Sequence, residues 1–308
     1  MDGSRLREAV LTLAIDVDTA EAVRALRRHG VEPILLKGPV LGRVLYPGEL
    51  RPYCDIDLLV GPHDTASAEA TLRELGYRKG LTALPPQLPT ATSWTHPSRG
   101  SVDLHRGLHF VQAPAENVWE VVRRDATPID VAGVPVLAPR LGVLALHLCL
   151  HAAMSGDVVT KTLDDLERGV ATLPRVAWDD ALAAAAELDV VPTLGDGLGL
   201  TTAGAQLAAE LGLASEETKV MRLRRATTTL ARPWTIELLV RQPSLRTALA
   251  AIVRRCFPPP GHLRLLARRE GSAWLVLAYA KRLGGIAARL PGSLLAWGYM
   301  SWQGRRVG

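Results

Sequence analysis

Asp55 and Asp57 stand two residues apart inside a short apolar run, Ile56, Leu58, Leu59 and Val60. The run is short and β-prone, the pattern of a buried strand. On a strand, residues i and i+2 face the same way, roughly 6.5–7 Å apart. The two carboxylates therefore project side by side. Ionised carboxylates at that spacing repel each other unless a positive charge lies between them. A hard divalent cation, Mg2+ or Mn2+, is the simplest one, because such ions take oxygen ligands. The alternative is a strand end whose aspartates face water.

The segment upstream fits a metal-bound triphosphate. Ile34-Leu35-Leu36 reads as a strand, Lys37-Gly38 as a turn, and Pro39 as the first residue of a helix. Val40, Leu41, Val44 and Leu45 recur at helical spacing. A chain that turns tightly at a glycine and enters a helix offers free N–H groups to a phosphate. Lys37 adds a point charge. A Lys-Gly pair alone carries little meaning; its place one helix upstream of Asp-x-Asp supplies it. Arg51, four residues before Asp55, either contacts a phosphate or holds the strand end.

Leu36-Lys37-Gly38, Tyr46-Pro47, Arg51 and residues 55–60 resemble the uncharacterised nucleotidyltransferase family of the polymerase-β-like superfamily. Most of that superfamily has Gly-Gly or Gly-Ser at the turn; this family resembles the present chain in having Lys-Gly. The resemblance spans roughly residues 34–170. It implies a third carboxylate on a later strand, and Val102-Asp103-Leu104-His105 matches the family's Asp-Leu-His pattern. It implies an α+β fold, a small mixed sheet with flanking helices; together with the helical pattern and the basic charge of the later sequence, the expectation is a nucleotidyltransferase-like domain over residues 1–137 followed by a mainly helical, basic domain over 138–308. It also implies a reaction, metal-dependent transfer of a nucleoside monophosphate from an NTP to an acceptor hydroxyl. Asp55, Asp57 and Asp103 would be the catalytic metal ligands, with Lys37, Gly38, Arg51, His105 and Lys161 at the nucleotide. His105 shares a face with Asp103 and either orients a phosphate or acceptor or lines the site mouth. Asp165 matches a further family aspartate. Family members often accompany biosynthetic systems for modified peptides, which makes the implied acceptor a peptide or small metabolite. Two other readings stand beside this one: an NTP-dependent phosphotransferase acting on a peptide, and a non-catalytic module binding peptide or RNA.

The last reading draws on charge. The 308 residues carry a net +5, but unevenly. From residue 221 onward there are 16 Lys+Arg against 2 Asp+Glu, a net +14. The remaining 20 Lys+Arg against 29 Asp+Glu give −9. A basic third on an acidic body suits an anionic partner, nucleic acid included, or is simply a set of solvated helices. The three cysteines are scattered in apolar settings, unlike a disulfide framework. Asp2, Arg5, Arg7 and Glu8 precede any apolar run, and no uncharged apolar stretch reaches ~18 residues. The expectation is a cytoplasmic protein with no transmembrane segment.

The remaining pattern predicts helices over 4–30, broken near 16–19, and over 65–75, closed by Gly76. It predicts paired strands at 93–96 and 101–105, a loop over 81–92, and a hairpin around Ala132-Gly133. A long apolar helix follows Pro139 and places His147 and His151 on one face. Their reading is structural or base-contacting, since the Glu of a His-Glu-x-x-His zinc site is absent. A further helix starts at 160. Helices are predicted over 181–188, 205–211, 216–230, 234–241, 245–256 and 274–290, separated by Gly and Pro clusters at 195–199, 257–261, 284–285 and 291–292. Trp274, Trp297, Tyr299 and Trp302 read as packing for the last helix or as a membrane or partner contact.

Overall fold

The computed structural model describes residues 3–80, 90–155, 160–213, 236, 239–240, 245–257 and 272–303. The chain divides into two compact units, Met1–Gly80 with Thr90–Ser215, and Leu81–Pro89 with Glu216–Gly308.

The first unit is built on a seven-stranded mixed sheet. In chain order the strands are β1 (Ile34–Leu35), β2 (Asp55–Leu59), β3 (Arg78–Lys79), β4 (Ala91–Thr95), β5 (Ser101–His105), β6 (Thr127–Val131) and β7 (Val134–Ala138). Their spatial order is β3-β4-β5-β2-β1-β7-β6. The β2–β5 and β1–β7 pairs are parallel and the others antiparallel. The predicted hairpin is present: Ala132 and Gly133 both have positive φ, 48° and 76°, as a tight hairpin turn requires. β4 and β5 pair as expected, although β4 takes in Ala91 and Thr92, which the sequence reading assigns to the loop. Residues 81–89 of that loop lie outside the described residues.

Helices α1 (Gly3–Arg28), α2 (Pro39–Leu45), α3 (Thr65–Glu74) and α4 (Ala115–Arg123) accompany the sheet. Gly30 and Gly76, at φ 76° and 87°, close α1 and α3 as expected. In each case the following residue returns a hydrogen bond to the helix, Val31 to Leu26 and Tyr77 to Leu72. The predicted break at 16–19 is absent, and α1 runs through it. Two of its polar residues have tertiary partners, Asp16 accepting from the Tyr53 hydroxyl at 2.5 Å and Asp18 from the Gly100 amide at 2.8 Å, and Thr19 donates back within the helix to the Ile15 carbonyl at 2.7 Å.

After β7 come α5 (Leu141–Ser155), α6 (Thr160–Thr172), α7 (Arg175–Glu187), α8 (Val191–Leu198) and α9 (Thr202–Glu210). α5 has no charged residue and, apart from its two histidines, is mostly apolar, and it is buried along nearly its whole length from Gly142 to Ala153. It packs against α6, α7 and α8 and belongs to one core with the strands. The first compact unit therefore continues past residue 137 to Ser215. Gly195 and Gly197, predicted to separate helices, lie within α8. A Cβ at Gly197 would sit 2.3 Å from the Cys149 carbonyl, so this glycine permits the close crossing of α8 on α5.

In the second unit α10 (Leu245–Cys256) and α11 (Ser272–Gln303) are described. The predicted helix over 216–230 lies outside the described residues. α11 runs through Gly284-Gly285 and Pro291-Gly292, expected as breaks. Pro291 and Ala287 are both exposed, so water can donate to the Ala287 carbonyl, which proline has no N–H to satisfy. Among the described residues no helix is long and apolar enough to cross a membrane.

Candidate active site

β2 and β5 lie side by side and parallel, with Asp57 opposite Asp103 and Asp55 opposite Ser101. The strand alternation places Asp55 and Asp57 on one face, as their spacing predicts. Each of Asp55, Asp57 and Asp103 offers a carboxylate oxygen, and the three oxygens lie within 4.8 Å of one another. Asp57 is 2% exposed; Asp55 and Asp103 are half-buried. Ser93, opposite Asp103 on β4, donates its hydroxyl to Asp103 Oδ1.

Two cationic or donor groups meet at Asp57. Lys37 Nζ and His105 Nε2 each lie 2.9 Å from its Oδ1. Burial pushes this carboxyl up, but the His105 hydrogen bond and the Lys37 charge together outweigh it and hold Asp57 well below the usual carboxylate range. Asp55 moves the other way. Burial raises it first, and the neighbouring Asp57 charge adds to the rise. Three clustered carboxylates facing one lysine leave an excess of negative charge. A hard oxygen donor set of this kind fits Mg2+ or Mn2+.

Gly38 has φ 62° and ψ −112°, backbone closed to L side chains. It turns the chain from β1 into α2, whose first three residues, Pro39, Val40 and Leu41, are buried. A Cβ there would only touch the Tyr53 ring at 3.5 Å, so the requirement lies in the backbone. Gly38→Ala is expected to lower unfolding free energy by about 1–3 kcal/mol, measured by urea titration. No loss would mean the loop relaxes without strain.

Matching the family model described as an uncharacterised nucleotidyltransferase, residues 1–203 account for about two thirds of the sequence. The chain belongs to this nucleotidyltransferase family. No curated protein matches it. Among solved structures, it is similar to a solution structure of the antibiotic-resistance factor ANT(2'')-Ia, at 17% identity and a TM-score of 0.41, over 58% of this chain and 90% of that one. A crystal structure of ANT(2'')-Ia in complex with adenylyl-2''-tobramycin is similar at 17% identity and a TM-score of 0.41, over 54% and 92%.

In this nucleotidyltransferase the other residues singled out from sequence are placed as follows. Arg51, 8% exposed, gives Nε and a terminal nitrogen to the two carboxylate oxygens of Asp165, at 2.7 and 2.5 Å. Asp165, on α6, also accepts the Tyr46 hydroxyl at 2.8 Å. Lys161, on the same helix, donates to the Pro52 carbonyl. Burial lowers the pKa of its ammonium, and its charge favours ionised Asp55. Arg51 and Lys161 thus tie α6 to the segment leading into β2, while Lys37 alone of the predicted phosphate cations reaches a carboxylate of the cluster directly. His105 faces Asp57.

Behind His105 runs a row of imidazoles that sequence reading saw only in part. Ring centroids are 6.4 Å apart for His105–His109, 6.2 Å for His109–His151 and 6.2 Å for the stacked pair His147–His151. The i, i+4 spacing on α5 makes the His147–His151 pair legible. His109 escaped because it lies in the irregular segment after β5, where no periodicity applies. Ser93 escaped because its partner Asp103 is known only once the β4–β5 register is set.

Proposed function

We propose that the protein transfers a nucleoside monophosphate from an NTP to a hydroxyl of an acceptor, with pyrophosphate as the other product. The oxygen of the acceptor forms a bond to the α-phosphorus as the bond from that phosphorus to the bridging oxygen of pyrophosphate breaks. The observation that carries this reading is the meeting of Asp55, Asp57 and Asp103 on two adjacent parallel strands, within 4.8 Å, in a chain of the nucleotidyltransferase family. In this reading the three aspartates hold Mg2+ or Mn2+. The bound ions supply charge neutralisation at the triphosphate and activation of the attacking oxygen, as in two-metal sites. Lys37 and the Gly38 turn cradle phosphate. Phosphoryl-type chemistry asks mainly for positioning and electrostatic stabilisation.

Other residues take supporting parts. His105 holds the Asp57 carboxylate in its orientation. Asp103, hydrogen-bonded to Ser93, either binds metal or accepts the proton of the acceptor hydroxyl. Arg51 and Lys161 shape the approach to Asp55, and Lys161 reaches phosphate by exchanging the Pro52 carbonyl for it. The family resemblance favours a peptide or small metabolite as acceptor.

Isothermal titration with each NTP, with and without Mg2+, tests the reading. Metal-dependent binding is expected in the native protein. In Asp55→Asn/Asp57→Asn it should weaken by at least about tenfold, since the variant removes charge that recruits the ion. Absence of metal-dependent binding for every NTP would sink the proposal. Once an acceptor is found, product mass separates nucleotide transfer from phosphate transfer.

A further inference from the structure

The described helices of the second unit are apolar on the outside. A helix on a protein surface ordinarily turns its polar residues to water. On α11 the exposed arc contains Val276, Leu277, Leu294 and Leu295, with Leu277 at 65% and Leu295 at 74% exposure. Positions 276, 277, 280, 284, 287, 294 and 295 fall within about 100° of one another at 3.6 residues per turn, and all are exposed. On α10, Leu249, Ile252 and Val253 are exposed too, as is Phe257 just after it. The two helices pack on each other, and the Phe257 and Tyr279 rings lie 6.2 Å apart.

Charge says what can cover this face. Neither α10 nor α11 contains an aspartate or glutamate. Arg246, Lys281 and Arg289 are exposed on them. On α10 Arg246 shares the side of Leu249 and Val253, and on α11 Lys281 flanks Leu277 and Leu295, whereas Arg289 lies on the far side; the apolar face therefore carries Arg246 and Lys281 as its cations. A nucleic acid is held through phosphates by cations and through bases by aromatic rings, and has no use for a Leu/Val face. An anionic bilayer uses both halves: acyl chains take the apolar arc and lipid phosphates the Lys and Arg side chains. As no described helix is long and apolar enough to span a bilayer, the fit is to a helix lying in the interface. We propose that α10 and α11 form a peripheral docking surface for anionic membranes. The inference stands independently of the reaction proposed above.

Vesicle sedimentation of the full chain tests it, with phosphatidylcholine vesicles made with and without phosphatidylglycerol. Binding is expected to be about tenfold or more tighter with the anionic lipid, and to weaken as salt is raised. Leu277→Asp/Leu295→Asp should lose it through the apolar arc. Arg246→Glu/Lys281→Glu, with circular dichroism unchanged, should lose it through charge. If the native protein does not sediment with anionic vesicles, or retains an RNA oligomer or an acidic peptide but not vesicles, the proposal fails. Binding unaltered by both variants would overturn it equally.

Discussion

Acidification below pH 6 is expected to destabilise the first unit steeply, by up to about 4 kcal/mol per pH unit. Burial is the main cause: it pushes His109 down to about 3, His151 to about 4 and the wholly buried His147 well below its ordinary value. Lys37 reinforces all three shifts, while Asp57 opposes those of His109 and His151, and Asp165 that of His151. The native imidazoles therefore stay neutral where unfolded ones, titrating near 6.5, take up protons. Between the unfolded value and the folded values the unfolded chain binds up to three more protons. Stability then rises with pH, by about 1.4 kcal/mol per proton per pH unit. It is fully present above about pH 6.5 and is lost as pH falls toward the folded values. A domain stable by about 5–15 kcal/mol is exhausted within a few units of such a slope. Urea midpoints at several pH values between neutrality and pH 4.5 measure it. His147→Leu should reduce the slope by about one proton. It should also raise stability at pH 7, because neither ring nitrogen of His147 has a hydrogen-bond partner among the described residues. A slope of less than one proton would mean that these imidazoles are solvated or charged in the native state.

The second large effect concerns the tie between α6 and the approach to β2. Asp165→Ala is expected to cost about 3–5 kcal/mol, because it leaves the Arg51 guanidinium buried without its counter-charge. Burial alone would weaken that charge, and the Asp165 carboxylate more than compensates, so Arg51 is raised. Arg51→Met should cost a similar amount by stranding Asp165. The double variant Arg51→Met/Asp165→Leu should recover most of the loss, since an apolar pair of similar volume replaces two desolvated ions. A urea-unfolding double-mutant cycle measures this coupling. Additive losses would show that the pair is hydrated rather than buried. Because Arg51 stands four residues before Asp55, Mg2+-dependent nucleotide affinity in the double variant reports whether the ion pair also sets the site.

The sequence by itself determined the local half of this protein. Two aspartates at i and i+2 in an apolar β-prone run face one way whatever surrounds them. Gly38 followed by Pro39 dictates a turn into a helix, and Ala132-Gly133 a hairpin. These features rest on backbone geometry within a few residues, which periodicity exposes. Asp103 came from likeness to a family motif and not from spacing, because no local rule relates it to Asp57 across the intervening segment. Only the tertiary structure decided the partners. The β2–β5 register sets Asp103 against Asp57. The packing of α5 and α6 brings imidazoles to the back of His105 and Asp165 to Arg51. The course of α1 through 16–19 and of α8 through its glycines was likewise decided at a distance, by Tyr53 and Gly100 on one side and the Cys149 backbone on the other. A side chain shows in sequence what it can do; whether it binds, holds or fills depends on neighbours that only the folded chain supplies.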